Sequence, residues 1–166
     1  MTIQKVVTGA FGERTKAFNF SVKLKNTTNP TLLEGVTHTD GIDLTNFKLM
    51  HGQQVELKNI PIDTIITVTE KDAKDYKTSA TGYSKSISSG ERTFTYTVVE
   101  EDGKVVLKST GENAAVKDSA ITVTNNFDGT PDTGVLLDTL PYLILLAVAV
   151  AGGVLVVVRK RKHRDE

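Results

Sequence analysis

Cysteine is absent from all 166 residues. That removes disulfides, thiolate metal sites and cysteine nucleophiles together. A domain without disulfides, were it exported, would have to be held by its core or by some other cross-link. Histidine is scarce: His38, His51 and His163 show no ligand spacing such as H-x-x-x-H, so neither a metal nor another cofactor is expected. No G-x-S-x-G or comparable nucleophile–base pattern occurs, and a turnover enzyme is not expected. Net charge is also lacking, 20 Lys and Arg standing against 20 Asp and Glu. The balance conceals an asymmetry, because Arg159–Glu166 carries five Arg/Lys and two Asp/Glu, a net of +3, leaving −3 on residues 1–158. A slightly acidic body offers no electrostatic footprint for nucleic acid.

What the chain does have is alternation. Phe18, Phe20, Val22 and Leu24 alternate with polar residues, as a strand with one buried face requires. So do Phe47 with Leu49, Val55 with Leu57, and Ile66 with Val68. Phe94–Val98, Val105–Leu107 and Ile121–Val123 repeat the pattern, and Gly9, His51-Gly52, Ser89-Gly90 and Asp102-Gly103 mark turns. Short strands at this spacing predict an all-β domain over residues 1–128, an antiparallel sandwich or barrel. No helical period is sustained, apart from room for a short turn at Asn113–Ser119. Residues 27–46 are polar and turn-rich and read as a long loop, either a solvated insertion or a binding surface.

The C-terminal end differs in kind. Thr139 to Val158 carries no charge, and twenty residues at about 1.5 Å rise span the roughly 30 Å hydrocarbon layer of a membrane. A buried core helix keeps a polar stripe; this segment has none, so 139–158 is expected to be one transmembrane helix. Arg159-Lys160-Arg161-Lys162 follows at once, which puts the tail 159–166 in the cytoplasm and residues 1–138 outside. Met1-Thr2-Ile3 runs straight into strand-like sequence without a basic n-region or an apolar h-region. The chain is therefore expected to be a fragment, with a signal peptide and further domains upstream.

Before the apolar span, within the linker 129–138, lies Thr130-Pro131-Asp132-Thr133-Gly134. Pro131 holds the backbone extended for a groove to bind, and Gly134 permits close approach of a catalytic site. Pro-x-Thr-Gly, apolar segment and basic tail in this order resemble the sorting signal of sortase substrates. The resemblance covers Thr130 to Glu166 and implies cleavage between Thr133 and Gly134. The acyl group would then pass to an amine of the peptidoglycan precursor or to a pilin lysine. Thr130 stands where that family usually has Leu, which leaves the sortase class open.

Strand phase exposes one further feature. Ile3, Lys5 and Val7 share a face; so do Ile66, Val68 and Glu70; so do Ile121, Val123, Asn125 and Phe127. With the apolar members inward, Lys5, Glu70 and Asn125 point into the core as well. An unpaired buried charge is expensive, so three such residues on three strands suggest one compensating cluster. In a dry core the neutral forms of an amine and a carboxylic acid are favoured. The Lys5 amine can then attack the Asn125 side-chain carbonyl while Glu70 polarises it and shuttles protons, expelling ammonia and leaving an isopeptide bond.

Here the sequence resembles the CnaB-type and pilin isopeptide-linker domains, which are Ig-like β-sandwiches. Gln4-Lys5-Val6-Val7-Thr8-Gly9 is similar to their first-strand lysine motif, and Phe18–Leu24 to the following strand. Thr67-Val68-Thr69-Glu70 is similar to the glutamate motif, with Tyr76 in the usual place after it, and Val123-Thr124-Asn125-Asn126 to the last-strand asparagine motif. The resemblance spans roughly Thr2 to Phe127. It implies Glu70 as the catalytic acid and Lys5 and Asn125 as the cross-linked pair, with Asn126 the rival, since a bulge would shift the phase.

The expected function is structural: an adhesin stalk or pilin subunit at the cell surface, anchored to the wall by sortase and stabilised by a Lys–Asn bond. The alternative is an adhesin module on a single-pass anchor, contacting a host or matrix ligand through residues 27–46 without sortase processing.

Overall fold

The computed structural model describes residues 1–87, 91–111, 115–116 and 119–129. Among the described residues twelve strands follow one another: β1 (Thr2–Thr8), β2 (Phe18–Asn26), β3 (Thr37–His38), β4 (Phe47–Leu49), β5 (Gln54–Lys58), β6 (Thr64–Lys71), β7 (Lys77–Ala80), β8 (Tyr83–Ile87), β9 (Arg92–Glu101), β10 (Lys104–Ser109), β11 (Ala115–Val116) and β12 (Ala120–Asn126). They form two six-stranded sheets, one in the order β3-β5-β1-β12-β7-β8 and the other β11-β10-β9-β6-β2-β4. This is an all-β sandwich, and residues Met1–Gly129 make one compact unit.

Alternation produces the core. In β1 Ile3, Lys5 and Val7 are buried while the residues between them are not. In β9 Phe94, Tyr96 and Val98 do the same. These inner faces meet Phe18, Phe20, Val22, Ile66, Val68, Ile121 and Val123 from the other strands in one apolar cluster. The Asp102-Gly103 turn has positive φ at both residues, 52° and 72°, the backbone of a two-residue hairpin that matches strand twist. Gly9 is required twice over: its φ is 93°, and a Cβ there would lie 2.3 Å from the Phe127 carbonyl oxygen.

Three expectations need correction. The sandwich is not wholly antiparallel, since β1 and β12 run parallel, with Lys5 opposite Val123 and Val7 opposite Asn125. A parallel pair needs a long crossover, and here the crossover is nearly the whole domain. The stretch 27–46 is not a plain loop, because it holds a 3-10 helix at Pro30–Gly35, capped by Asn29, and the short strand β3. Within 113–119, Ala115–Val116 is a strand paired with β10 rather than a helical turn.

Candidate functional site

The parallel pairing of β1 and β12 places Lys5 and Asn125 on adjacent strands, two residues out of register and on the same inner face. β6 crosses opposite them in the other sheet, and its inward phase carries Glu70 to the same point. All three side chains have no solvent exposure. Lys5 Nζ lies 2.7 Å from Glu70 Oε1. Asn125 Nδ2 donates to that same Oε1 at 2.9 Å. One carboxylate oxygen therefore touches both the amine and the amide nitrogen.

The surroundings are apolar. Lys5 Nζ sits 4.6 Å from the centre of the Phe18 ring and 5.9 Å from that of Phe20. Tyr76 packs edge-on against Phe18 at 5.3 Å and closes that side. Burial pushes the Lys5 amine down to about 8; the neighbouring Glu70 carboxylate opposes the shift and the Arg92 charge adds to it. The 2.7 Å contact pairs opposite charges, and neither Lys5 Nζ nor Glu70 Oε2 has a further hydrogen-bond partner among the described residues. Unsatisfied polar atoms in a dry core are costly.

Asn126 faces the other way. Its Oδ1 accepts from Thr8 Oγ1 at 2.9 Å, and its Nδ2 donates to Asp128. Thr130, Pro131, Asp132, Thr133 and Gly134, the span 139–158 and the tail 159–166 lie outside the described residues.

Two members of the site were not anticipated. Thr78, fully buried on β7, donates its hydroxyl to Asn125 Oδ1 at 2.7 Å. The amide oxygen is thus polarised by Thr78, while Glu70 faces the amide nitrogen, a division of labour different from the one expected. β7 has only four residues and its inward partner is Ala80, too little pattern for its phase to be read. The second is Arg92, also without solvent exposure, which stands directly across the ladder from Glu70 and donates to the Tyr76 carbonyl at 3.0 Å. Its signal was present: carrying the Phe94–Tyr96–Val98 alternation back two residues places Arg92 on the inner face.

Chemically, the arrangement presents an amine of lowered basicity, an amide carbonyl held by a hydroxyl, and one carboxylate oxygen in contact with both the amine and the amide nitrogen. Among the described residues no His/Asp/Glu group could hold a metal ion.

A family model described as a domain of unknown function, DUF7601, matches residues 1–102. A pilin of Streptococcus pyogenes serotype M1 is 31% identical over 179 residues, covering 97% of this chain and 48% of the pilin. The pilus tip adhesin Cpa of Streptococcus pyogenes is 29% identical over 145 residues, covering 83% of this chain and 18% of the adhesin. The chain thus spans less than half the length of these relatives. A solved structure of the pilus-presented adhesin Spy0125 (Cpa) matches with a TM-score of 0.51 at 24% identity, covering 78% of this chain and 27% of that one. That likeness is one of fold.

Proposed function

The chain belongs to the DUF7601 family, a domain of unknown function, and from that premise we propose that it is a structural pilus subunit or adhesin stalk at the cell surface, locked by an intramolecular bond between Lys5 and Asn125. The observation that carries the reading is the position of Glu70 Oε1, 2.7 Å from the entering nitrogen and 2.9 Å from the leaving one. Similarity to a pilin and to a pilus adhesin supports the setting.

The reaction runs as follows. Neutral Lys5 Nζ adds to Asn125 Cγ, and negative charge develops on Oδ1, where the Thr78 hydroxyl donates. Glu70 Oε1 takes a proton from Nζ and hands it to Nδ2. The Cγ–Nδ2 bond breaks, ammonia leaves, and Glu70 returns to the carboxylate it began as. No oxidant or reductant is needed. Each chain does this once, so the protein is not a turnover enzyme.

Function follows from where the bond falls. Tension entering near Met1 passes along three residues to Lys5, crosses to Asn125, and leaves near Gly129. The chain between the two residues carries no load and cannot be drawn out.

Residues 1–129 should have an intact mass short of the sequence mass by one ammonia, with Lys5→Ala and Glu70→Ala at full mass. A wild type at full mass ends the self-cross-linking reading. In the same proposal, 129–138 is the sorting linker, sortase cuts Thr133–Gly134, 139–158 holds the substrate in the membrane, and 159–166 remains inside. Thr133→Ala in the exported protein should then move it from the wall fraction to the membrane fraction. Unchanged wall attachment would reject the motif while leaving the cross-link untouched.

A further inference from the structure

Most of the reacting cluster is assembled without β1. Glu70 stands on β6, Thr78 on β7 and Asn125 on β12, and they touch one another directly. Asn125 Nδ2 donates to Glu70 Oε1 at 2.9 Å, and Thr78 Oγ1 donates to Asn125 Oδ1 at 2.7 Å. The amide is held at both ends, its oxygen by a donor suited to developing negative charge, its nitrogen by a carboxylate that can return a proton. Lys5 adds a nitrogen and the means of holding it there. Its side chain lies beside the rings of Phe18 and Phe20 without solvent exposure. Its Nζ sits against Glu70 Oε1 and has no further hydrogen-bond partner among the described residues.

Shortening Lys5 to Ala deletes Cγ, Cδ, Cε and Nζ, which together make up n-propylamine. The gap left behind runs past Phe18 and Phe20 and ends at Glu70 Oε1. Buried apolar gaps of this kind take up small ligands that fit them. A neutral, unbranched amine fits both parts, its stem against the rings and its nitrogen at the carboxylate.

Resting on the cross-linking reading above, we propose that Glu70, Thr78 and Asn125 form an acyl-transfer site for unbranched primary alkylamines, of which Lys5 is the tethered case. The nitrogen of the free amine adds to Asn125 Cγ, and one of its protons passes through Glu70 Oε1 to Nδ2. The Cγ–Nδ2 bond breaks and ammonia leaves. Asn125 ends as an N-alkyl amide, Glu70 as the carboxylate it began as, and no other reactant is consumed. Phe18 and Phe20 set the specificity, because a slot shaped for a lysine stem is overpacked by a branched or longer chain. What the free amine lacks is the tether. Effective molarities of well-placed intramolecular groups reach about 10⁵ M or more, and binding in the slot recovers only part of this, so the reaction runs roughly ten-thousand-fold slower than Lys5 links.

The test uses Lys5→Ala in residues 1–129, one compact unit, refolded and held for days in methylamine, ethylamine, n-propylamine, n-butylamine or isopropylamine. Intact mass and peptide mapping locate the product. With n-propylamine the protein gains the mass of the amine less one ammonia, at Asn125, about tenfold or more faster than with n-butylamine or isopropylamine. The rate rises with pH until the free amine is neutral, near the ordinary amine value of 10.5 and not the value of about 8 to which burial brings Lys5. Glu70→Gln on the same background abolishes the addition. No addition at Asn125 from any of these amines, or addition indifferent to chain length and to Glu70, overturns the proposal. Should Lys5→Ala not fold, Lys5→Val keeps a residue suited to a strand and moves the optimum to ethylamine; no ethylamine product there rejects the proposal equally. A wild type at full mass rejects the cross-linking reading, whereas a wild type that links beside an inert Lys5→Ala rejects this inference alone.

Discussion

Lys5→Met should lower the melting temperature of residues 1–129 by about 20 °C. The substitution removes the amine and its charge yet keeps an unbranched side chain of similar length, so Phe18 and Phe20 stay packed. Glu70 and Arg92 remain facing one another across β6 and β9. What is lost is the proposed bond between β1 and β12, which would close a loop of roughly 120 residues. By the chain-entropy relation for cross-links, such a loop is worth about 5 kcal/mol, and for a domain of this size each kcal/mol moves the midpoint by about 4 °C. Asn125→Ala should fall further, because it leaves Lys5 buried and charged. That extra deficit has a defined pH window. The Lys5 amine sits at about 8 in the fold against 10.5 unfolded, so the cost is present in full below 8. It shrinks as pH rises toward 10.5, where the amine is neutral in both states. Calorimetry on the three proteins at neutral and alkaline pH checks both statements. A Lys5→Met protein melting within a few degrees of wild type would show that no cross-link was present to lose.

Thr78→Val should slow linking about 100-fold without blocking it. Valine keeps the β-branched shape that suits β7 and removes only the hydroxyl that donates to Asn125 Oδ1 at 2.7 Å. Removing one donor from a site of developing negative charge costs roughly 100- to 1000-fold in rate. The lower end applies if Asn125 can reorient slightly toward another polar group. Thr78→Ser, which retains the donor, should link within about threefold of wild type. The readout is intact mass after timed refolding, and a Thr78→Val chain linking at the wild-type rate would remove Thr78 from the chemistry. The fully linked end products should melt alike, separating an effect on rate from one on the finished fold.

Much of the cluster was legible in strand phase. Ile3–Lys5–Val7, Ile66–Val68–Glu70 and Ile121–Val123–Asn125 each carry a polar residue at a position where the period of two demands burial. Asn126, one residue out of phase, points to solvent-side partners for the same reason. Such phase is a local property, set by the backbone of a single strand, and needs no knowledge of the neighbours. Arg92 was within reach of the same rule, but its charge masked it as the start of a strand. Thr78 was not, because four residues with one threonine and one alanine inward carry too little contrast.

By itself, then, the sequence determined that the domain is β, the inward phase of its longer strands, and that Lys5, Glu70 and Asn125 fall on inward faces. Only the tertiary structure decided that the first and last strands lie side by side and parallel, that β6 brings Glu70 in from the opposite sheet, and that one carboxylate oxygen touches two nitrogens. The physical reason is range. Alternation is fixed by successive backbone dihedrals, whereas the pairing of β1 with β12 is settled by burying apolar faces across nearly the whole domain. The contact at Oε1 is settled by how those faces pack to within a fraction of an ångström.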